Sequence, residues 1–137
     1  MKRGLAGLAV IVALATALSA VAASDGQIVR KSRHGIYLLT VSPRPATAPV
    51  NRLHTWHLVL RRPNHSPVRK AMIKVDGDMP AHGHGLPTRP RVRELGKGRY
   101  VVEGMKFQMG GAWYVAFTIK AKPGRDTVRI DFELPPA

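Results

Sequence analysis

An all-β, immunoglobulin-like antiparallel β-sandwich of about seven strands is the fold class that this 137-residue chain predicts. Three observations predict it. From Gln27 onward apolar residues recur with a period of two rather than 3.6, and no amphipathic helical pattern interrupts them. The apolar runs are short. Pro, Gly and charged clusters bound them at the spacing expected of a sandwich. A small closed barrel shares this strand count and alternation and is the structural runner-up. The length suits one hydrophobic core rather than two.

The elements follow in order. Met1, Lys2 and Arg3 precede an uncharged stretch, residues 5–23, which closes on Ala20-Val21-Ala22-Ala23 just before Ser24 and Asp25. A basic start, an apolar middle and a small-residue site predict a helical signal peptide over residues 1–23, cut after Ala22 or Ala23, with one domain over 24–137. The expected destination is therefore periplasmic or secreted. A membrane anchor through residues 5–23 is the alternative, because a stretch of this length can just cross a bilayer. The chain has no Cys, which excludes a lipoprotein anchor, a disulfide framework, a thiolate metal site and a Cys nucleophile.

Ile28 and Val29 open the β region, and residues 35–41 (GIYLLTV) form a β-rich run expected to end where Ser42-Pro43-Arg44-Pro45 removes ladder donors. In residues 51–61, His54, Trp56, Leu58 and Leu60 fall on one face. Leu53, Thr55, His57 and Val59 fall on the other, as in a central strand with Trp56 as a core anchor. Residues 62–67 read as a turn. Ala71, Ile73 and Val75 then alternate with Met72, Lys74 and Asp76 and lead into residues 76–85, DGDMPAHGHG. Residues 92–95 and 99–103 are short strands about the turn Gly96-Lys97-Gly98, and residues 104–111 (GMKFQMGG) must bend. Trp113, Val115, Phe117 and Ile119 alternate cleanly. After a turn at 122–125, Val128, Ile130, Phe132 and Leu134 face inward against Arg129, Asp131 and Glu133.

Twenty-two basic and eight acidic residues give a formal charge of +14, and removal of Lys2 and Arg3 leaves about +12. The basic residues are scattered as Arg30-Lys31, Arg61-Arg62, Arg69-Lys70 and within 89–93, without the aromatic interleaving of a nucleic-acid module. Export also argues against nucleic acid. Such a surface is suited to an acidic protein partner or an anionic membrane surface, with an attraction that salt weakens.

Potential ligand chemistry is concentrated in DGDMPAHGHG. His82 and His84 lie two apart and so project to one side of an extended segment, with Gly83 and Gly85 leaving the backbone free to bend. Met79 lies three residues earlier, and Met105 and Met109 lie in a second Gly-bounded stretch that approaches if both loops share one end of the sandwich. Thioether and imidazole without thiolate are a ligand set for Cu(I), whereas two imidazoles alone also serve Cu(II) or Zn(II). Blander readings compete. Met105, Phe107 and Met109 are also spaced as one face of a strand, His-Gly-His can be a turn that bonds its own backbone, and Asp76-Gly77-Asp78 reads as strand-end turn chemistry. His54 and His57, three apart, point to opposite faces of a strand, and His34 and His65 read as exposed loop residues. No Ser stands in a Gly-x-Ser-x-Gly setting, and carboxylates are too scarce for a two-carboxylate site, so the chain is not expected to be an enzyme.

Met79-Pro80 followed by His82-Gly83-His84-Gly85, then Gly98-x-Tyr100, Gly104-Met105-x-Phe107-x-Met109 and Gly111-x-Trp113, resembles the YtkA-like domain, related to the FixH-like proteins, over residues 41–134. The resemblance implies an exported or membrane-tethered immunoglobulin-like sandwich with a role in copper handling, including supply to haem-copper oxidases in the FixH-like branch. By motif position it singles out Met79, His82, His84, Met105 and Met109. The cleavable leader departs from FixH-like proteins, which keep a membrane helix. The expectation is thus an exported copper-binding or chaperone-like domain, Cu(I) favoured, with a copper-receiving or acidic partner. The alternative is a metal-free interaction module whose basic surface docks an acidic protein or anionic membrane.

Overall fold

The computed structural model describes residues 26–136, so the expected signal peptide at 1–23 lies outside the described residues. Nine strands and no helix make up the described chain: β1 (Ile28–Lys31), β2 (Leu38–Arg44), β3 (His54–Arg61), β4 (Met72–Met79), β5 (His84–Gly85), β6 (Arg91–Gly96), β7 (Arg99–Met105), β8 (Gly111–Ala121) and β9 (Gly124–Leu134). They form two antiparallel sheets, ordered β1-β2-β3-β7-β6 and β5-β4-β8-β9. No strand belongs to both ladders, so this is a sandwich and not a closed barrel.

Alternation decides what each strand buries. The first sheet contributes Leu39, Val41, Trp56, Leu58, Leu60, Tyr100 and Val102 to the core, and the second contributes Val75, Val115, Phe117, Ile119, Val128 and Ile130. Burial of the whole Trp56 side chain makes it the anchor its position in the alternation predicts. Of the two histidines on β3, His54 is buried and His57 exposed, as opposite faces require.

Three boundaries differ from the expectation. β2 continues through Ser42, Pro43 and Arg44, with Pro43 opposite Trp56. β1 pairs only with residues 38–41, so at Pro43 that side of β2 is an open edge where a missing N–H costs nothing. Likewise Asp76-Gly77-Asp78 is not a turn, because β4 runs on to Met79 with Asp76, Gly77 and Asp78 opposite Ala116, Val115 and Tyr114. Gly77 is required there: a Cβ would meet the Tyr114 carbonyl oxygen at 3.0 Å and Leu86 Cγ at 3.1 Å. Lastly, the two-residue β5 has no apolar run of its own, and with β1 it raises the strand number above seven.

The sandwich is closed differently at its two ends. At one, Asp126 fastens the turn between β1 and β2 to β9. It accepts from the backbone N–H of His34 and of Thr127 and from His34 Nδ1–H, each at 2.9 Å. Burial alone would raise the pKa of this carboxyl. Hydrogen bonds from Ser32, Thr127 and His34 outweigh it and hold the group well below the usual carboxylate range. At the other end lies an aromatic cluster about Phe107, whose ring centre is 5.1 Å from Trp113, 5.3 Å from Phe132 and 6.0 Å from Trp56.

Candidate metal centre

β4 and β5 form a hairpin whose connection is residues 80–83. The Met79 carbonyl accepts from the N–H of His82 at 3.0 Å and of Gly83 at 2.9 Å, and Gly83 takes φ +62°, a left-handed conformation that favours glycine. Asp78 Oδ1 caps the strand end by accepting from Met79 N–H at 2.8 Å. The sequence thus folds into a tight turn that carries His82 at its tip and returns His84 to a ladder position opposite Met79. Both imidazoles are exposed, their ring centres 6.0 Å apart and their planes 19° apart. Two imidazoles on one ion at about 2.0 Å place their ring centres roughly 5–6 Å apart. The observed spacing lies at the upper end of that range, and the two near-parallel rings would have to turn for their nitrogens to converge on one ion.

The second stretch adjoins this hairpin. Gln108 Nε2–H donates to the Gly85 carbonyl at 3.1 Å, so residues 106–110 and the His82/His84 hairpin lie at the same end of the sandwich. Asn51 N–H donates to the Phe107 carbonyl at 2.6 Å, and Trp113 Nε1–H to the Met109 carbonyl at 3.0 Å. The bend is thereby tied on both sides.

The five residues singled out by motif take different positions. His82 and His84 are at the surface, and Met109 is partly so at 36 % exposure. Met79 at 1 % and Met105 at 0 % are core side chains. Met79 and His84 are nevertheless cross-strand partners and occupy one side of their ladder. The Met79 methyl reaches the backbone at Gly111, where a Cβ would stand 3.0 Å from it. Phe107, the middle residue of the Met105, Phe107, Met109 series, is wholly buried, so that series begins as a core-facing strand and leaves the core only at Met109.

Among the described residues no three His, Asp or Glu side chains gather into a metal-binding group. The His82/His84 pair therefore has no third His, Asp or Glu side chain beside it, and a thioether would have to come from Met109 or from the buried Met79 or Met105. That set fits a soft ion accepting few ligands better than an ion demanding four hard ones.

One residue was missed in the sequence. His54 is 7 % exposed, its Nδ1 lies 3.1 Å from the Arg52 carbonyl, and its buried Nε2 has no hydrogen-bond partner. Burial lowers its pKa more than the Arg52 carbonyl raises it, so the ring is held neutral. Its place on the Trp56 face was legible, but nothing in the spacing marked an unpartnered nitrogen.

The model of a family described as YtkA-like matches residues 37–118, more than half of the chain. No curated protein matches it. A DUF4426 family protein from Pseudomonas aeruginosa PAO1 resembles it in structure, with a TM-score of 0.57 at 15 % identity over 82 % of this chain and 97 % of that one. A copper-bound variant of FetP from uropathogenic Escherichia coli resembles it with a TM-score of 0.50 at 9 % identity over 81 % and 95 % of the respective chains. At such identities the likeness is one of fold.

Proposed function

The chain belongs to the YtkA-like family, and on that premise we propose an exported, non-catalytic, immunoglobulin-like domain that binds a soft metal ion, Cu(I) before Cu(II) or Zn(II), and passes it to a partner. His82 and His84 are the primary ligands, Met109 is the most exposed of the three candidate thioethers, and Met79 and Met105 are core side chains. The observation that carries this reading is the stacking of the His82 and His84 rings, centres 6.0 Å apart, on a hairpin tied to the Met109 loop. A copper-bound protein of similar fold supports it by analogy. The ion would supply affinity for an incoming donor group, while the chain holds two imidazoles close together on one hairpin. The net charge of about +12 left after removal of Lys2 and Arg3 favours an acidic copper-receiving protein or an anionic membrane surface as the place of transfer.

Titration of Cu(I) into the protein against a competing chelator tests the site. The double variant His82→Ala, His84→Ala is expected to lose the equivalent of ion held at this hairpin. An affinity equal to that of the unaltered protein would rule these ligands out. Binding to an acidic partner that ignored chelators but collapsed with moderate salt would instead favour a metal-free docking module.

A further inference from the structure

We propose a second soft-metal site, inside the sandwich, between Nε2 of His54 on β3 and the thioether of Met105 on β7. Its ligand class is a monovalent soft ion, Cu(I) or its probe Ag(I).

The ladder between these strands brings the pair together by an irregularity. Trp56 pairs with Val102, and a regular antiparallel register would then set His54 against Gly104. Instead His54 pairs with Met105, the register shifting between His54 and Trp56. The extra residue on β7 is accommodated where Gly104 takes φ +81°. Val102 and Met105 are three apart and would point to opposite faces of a regular strand, yet both are fully buried. The bulge therefore turns a thioether inward, directly opposite the imidazole, where cross-strand Cβ atoms lie about 5 Å apart.

The imidazole is already arranged as a ligand. Its Nδ1–H donates to the Arg52 carbonyl, which fixes the tautomer with the lone pair on Nε2. That lone pair is buried and has no protein partner, an arrangement that costs stability unless something occupies it. The surroundings are the rings of Phe107, 5.4 Å away, and Trp56, 6.4 Å away. One neutral nitrogen and one thioether in a dry aromatic setting suit an ion content with few soft donors and exclude one that needs several oxygens. The chain leaves the core along residues 106–110, from fully buried Met105 and Phe107 to Met109 at 36 % exposure.

The rival occupant of Nε2 is a water bridging to the Trp56 Nε1–H, which is also buried without a partner. The proposal rests on the reading that the protein handles a soft monovalent ion, and the test separates the two. Long-range proton–nitrogen NMR of the histidine rings is recorded as Ag(I) is added to the protein, to His82→Ala with His84→Ala, and to Met105→Leu. Leu replaces Met with little change of volume, so the core survives. The expected result is that His54 Nε2 loses its lone-pair-type nitrogen shift in the unaltered protein and in the double-His variant, while Nδ1 stays protonated, and that this change vanishes in Met105→Leu together with one equivalent of tightly held ion. A His54 resonance unmoved by saturating Ag(I), as a bridging water would leave it, overturns the proposal, and so does a shift that persists in Met105→Leu. If the His82 and His84 rings respond but His54 does not, only the internal site fails. If His54 alone responds, only the surface site fails.

Discussion

Asp126→Asn is expected to cost the fold about 3 kcal/mol at neutral pH while leaving metal affinity unchanged. The native carboxylate receives three short donors: the His34 N–H at Oδ2, and the Thr127 N–H and His34 Nδ1–H at Oδ1. Asparagine offers one oxygen in place of two and turns an –NH₂ toward an N–H that had been donating to a carboxylate oxygen. One backbone donor is then buried without a partner, and the remaining contacts lose their charge assistance. Hydrogen bonds to a charged group are worth roughly 1.5–3 kcal/mol each and an orphaned donor costs roughly 1–3 kcal/mol. Partial relaxation brings the sum to about 3 kcal/mol, and a domain of this size should melt on the order of 10 °C lower. The pH dependence has a definite sign. The folded-state pKa lies below the unfolded value of about 3.9, so the stabilisation is fully present above that value and is lost as the pH falls toward the folded pKa. Urea unfolding of both proteins at pH 7 and at stepwise lower pH should show the gap closing on acidification. A loss below about 1 kcal/mol at pH 7, or an Asn variant with the full acid slope of the unaltered protein, would refute this account of the carboxylate. An altered Cu(I) affinity would refute the separation of the two ends, because Asp126 lies opposite Ile119 near the far end of β8 from Gly111.

Phe107→Ala removes a fully buried ring from among Trp113, Phe132 and Trp56 and should cost about 3–5 kcal/mol, measured by denaturant unfolding. Gly111→Ala places a Cβ 3.0 Å from the Met79 methyl at φ +114°; a loss of roughly 1–3 kcal/mol is expected, and a neutral result would mean that both the backbone and Met79 readjust. Gln108→Leu breaks the bond to the Gly85 carbonyl, so stability should change by less than about 1 kcal/mol while Cu(I) affinity at the His82/His84 hairpin falls several-fold in a chelator competition.

The strands whose two faces meet different surroundings were legible in the sequence. In β8, Trp113, Val115, Phe117 and Ile119 are all buried, as their alternation requires. Where the sequence misled, the deciding partner was distant. Pro43 stays in β2 because β1 is short, and Gly77 keeps β4 extended because Leu86 and the Tyr114 carbonyl crowd that position. Composition marks proline and glycine as breakers but cannot say whether a neighbouring strand has already ended or another side chain needs the room. The hairpin of His82 and His84 was readable because its residues are contiguous. The His54 and Met105 pair was not, since a one-residue bulge at a remote strand decides which β7 side chain faces His54.

That bulge changes how the methionines are to be understood. Met79 opposite His84 and Met105 opposite His54 are both cross-strand thioether and imidazole pairs, one at the end of each sheet. They lie beside the same bend: Met79 against Gly111 at its exit, Met105 at its entrance. Core packing alone explains two buried methionines, but it does not explain a buried imidazole left with an open lone pair, for which Phe would fill a similar space without the penalty. The asymmetry between the ends follows the same logic. Where Asp126 sits, every buried polar atom of the carboxylate is met by a donor, as stability demands; where His54 sits, its Nε2 and the neighbouring Trp56 Nε1–H have no protein partner, and the proposed ion would recover part of the free energy given up there.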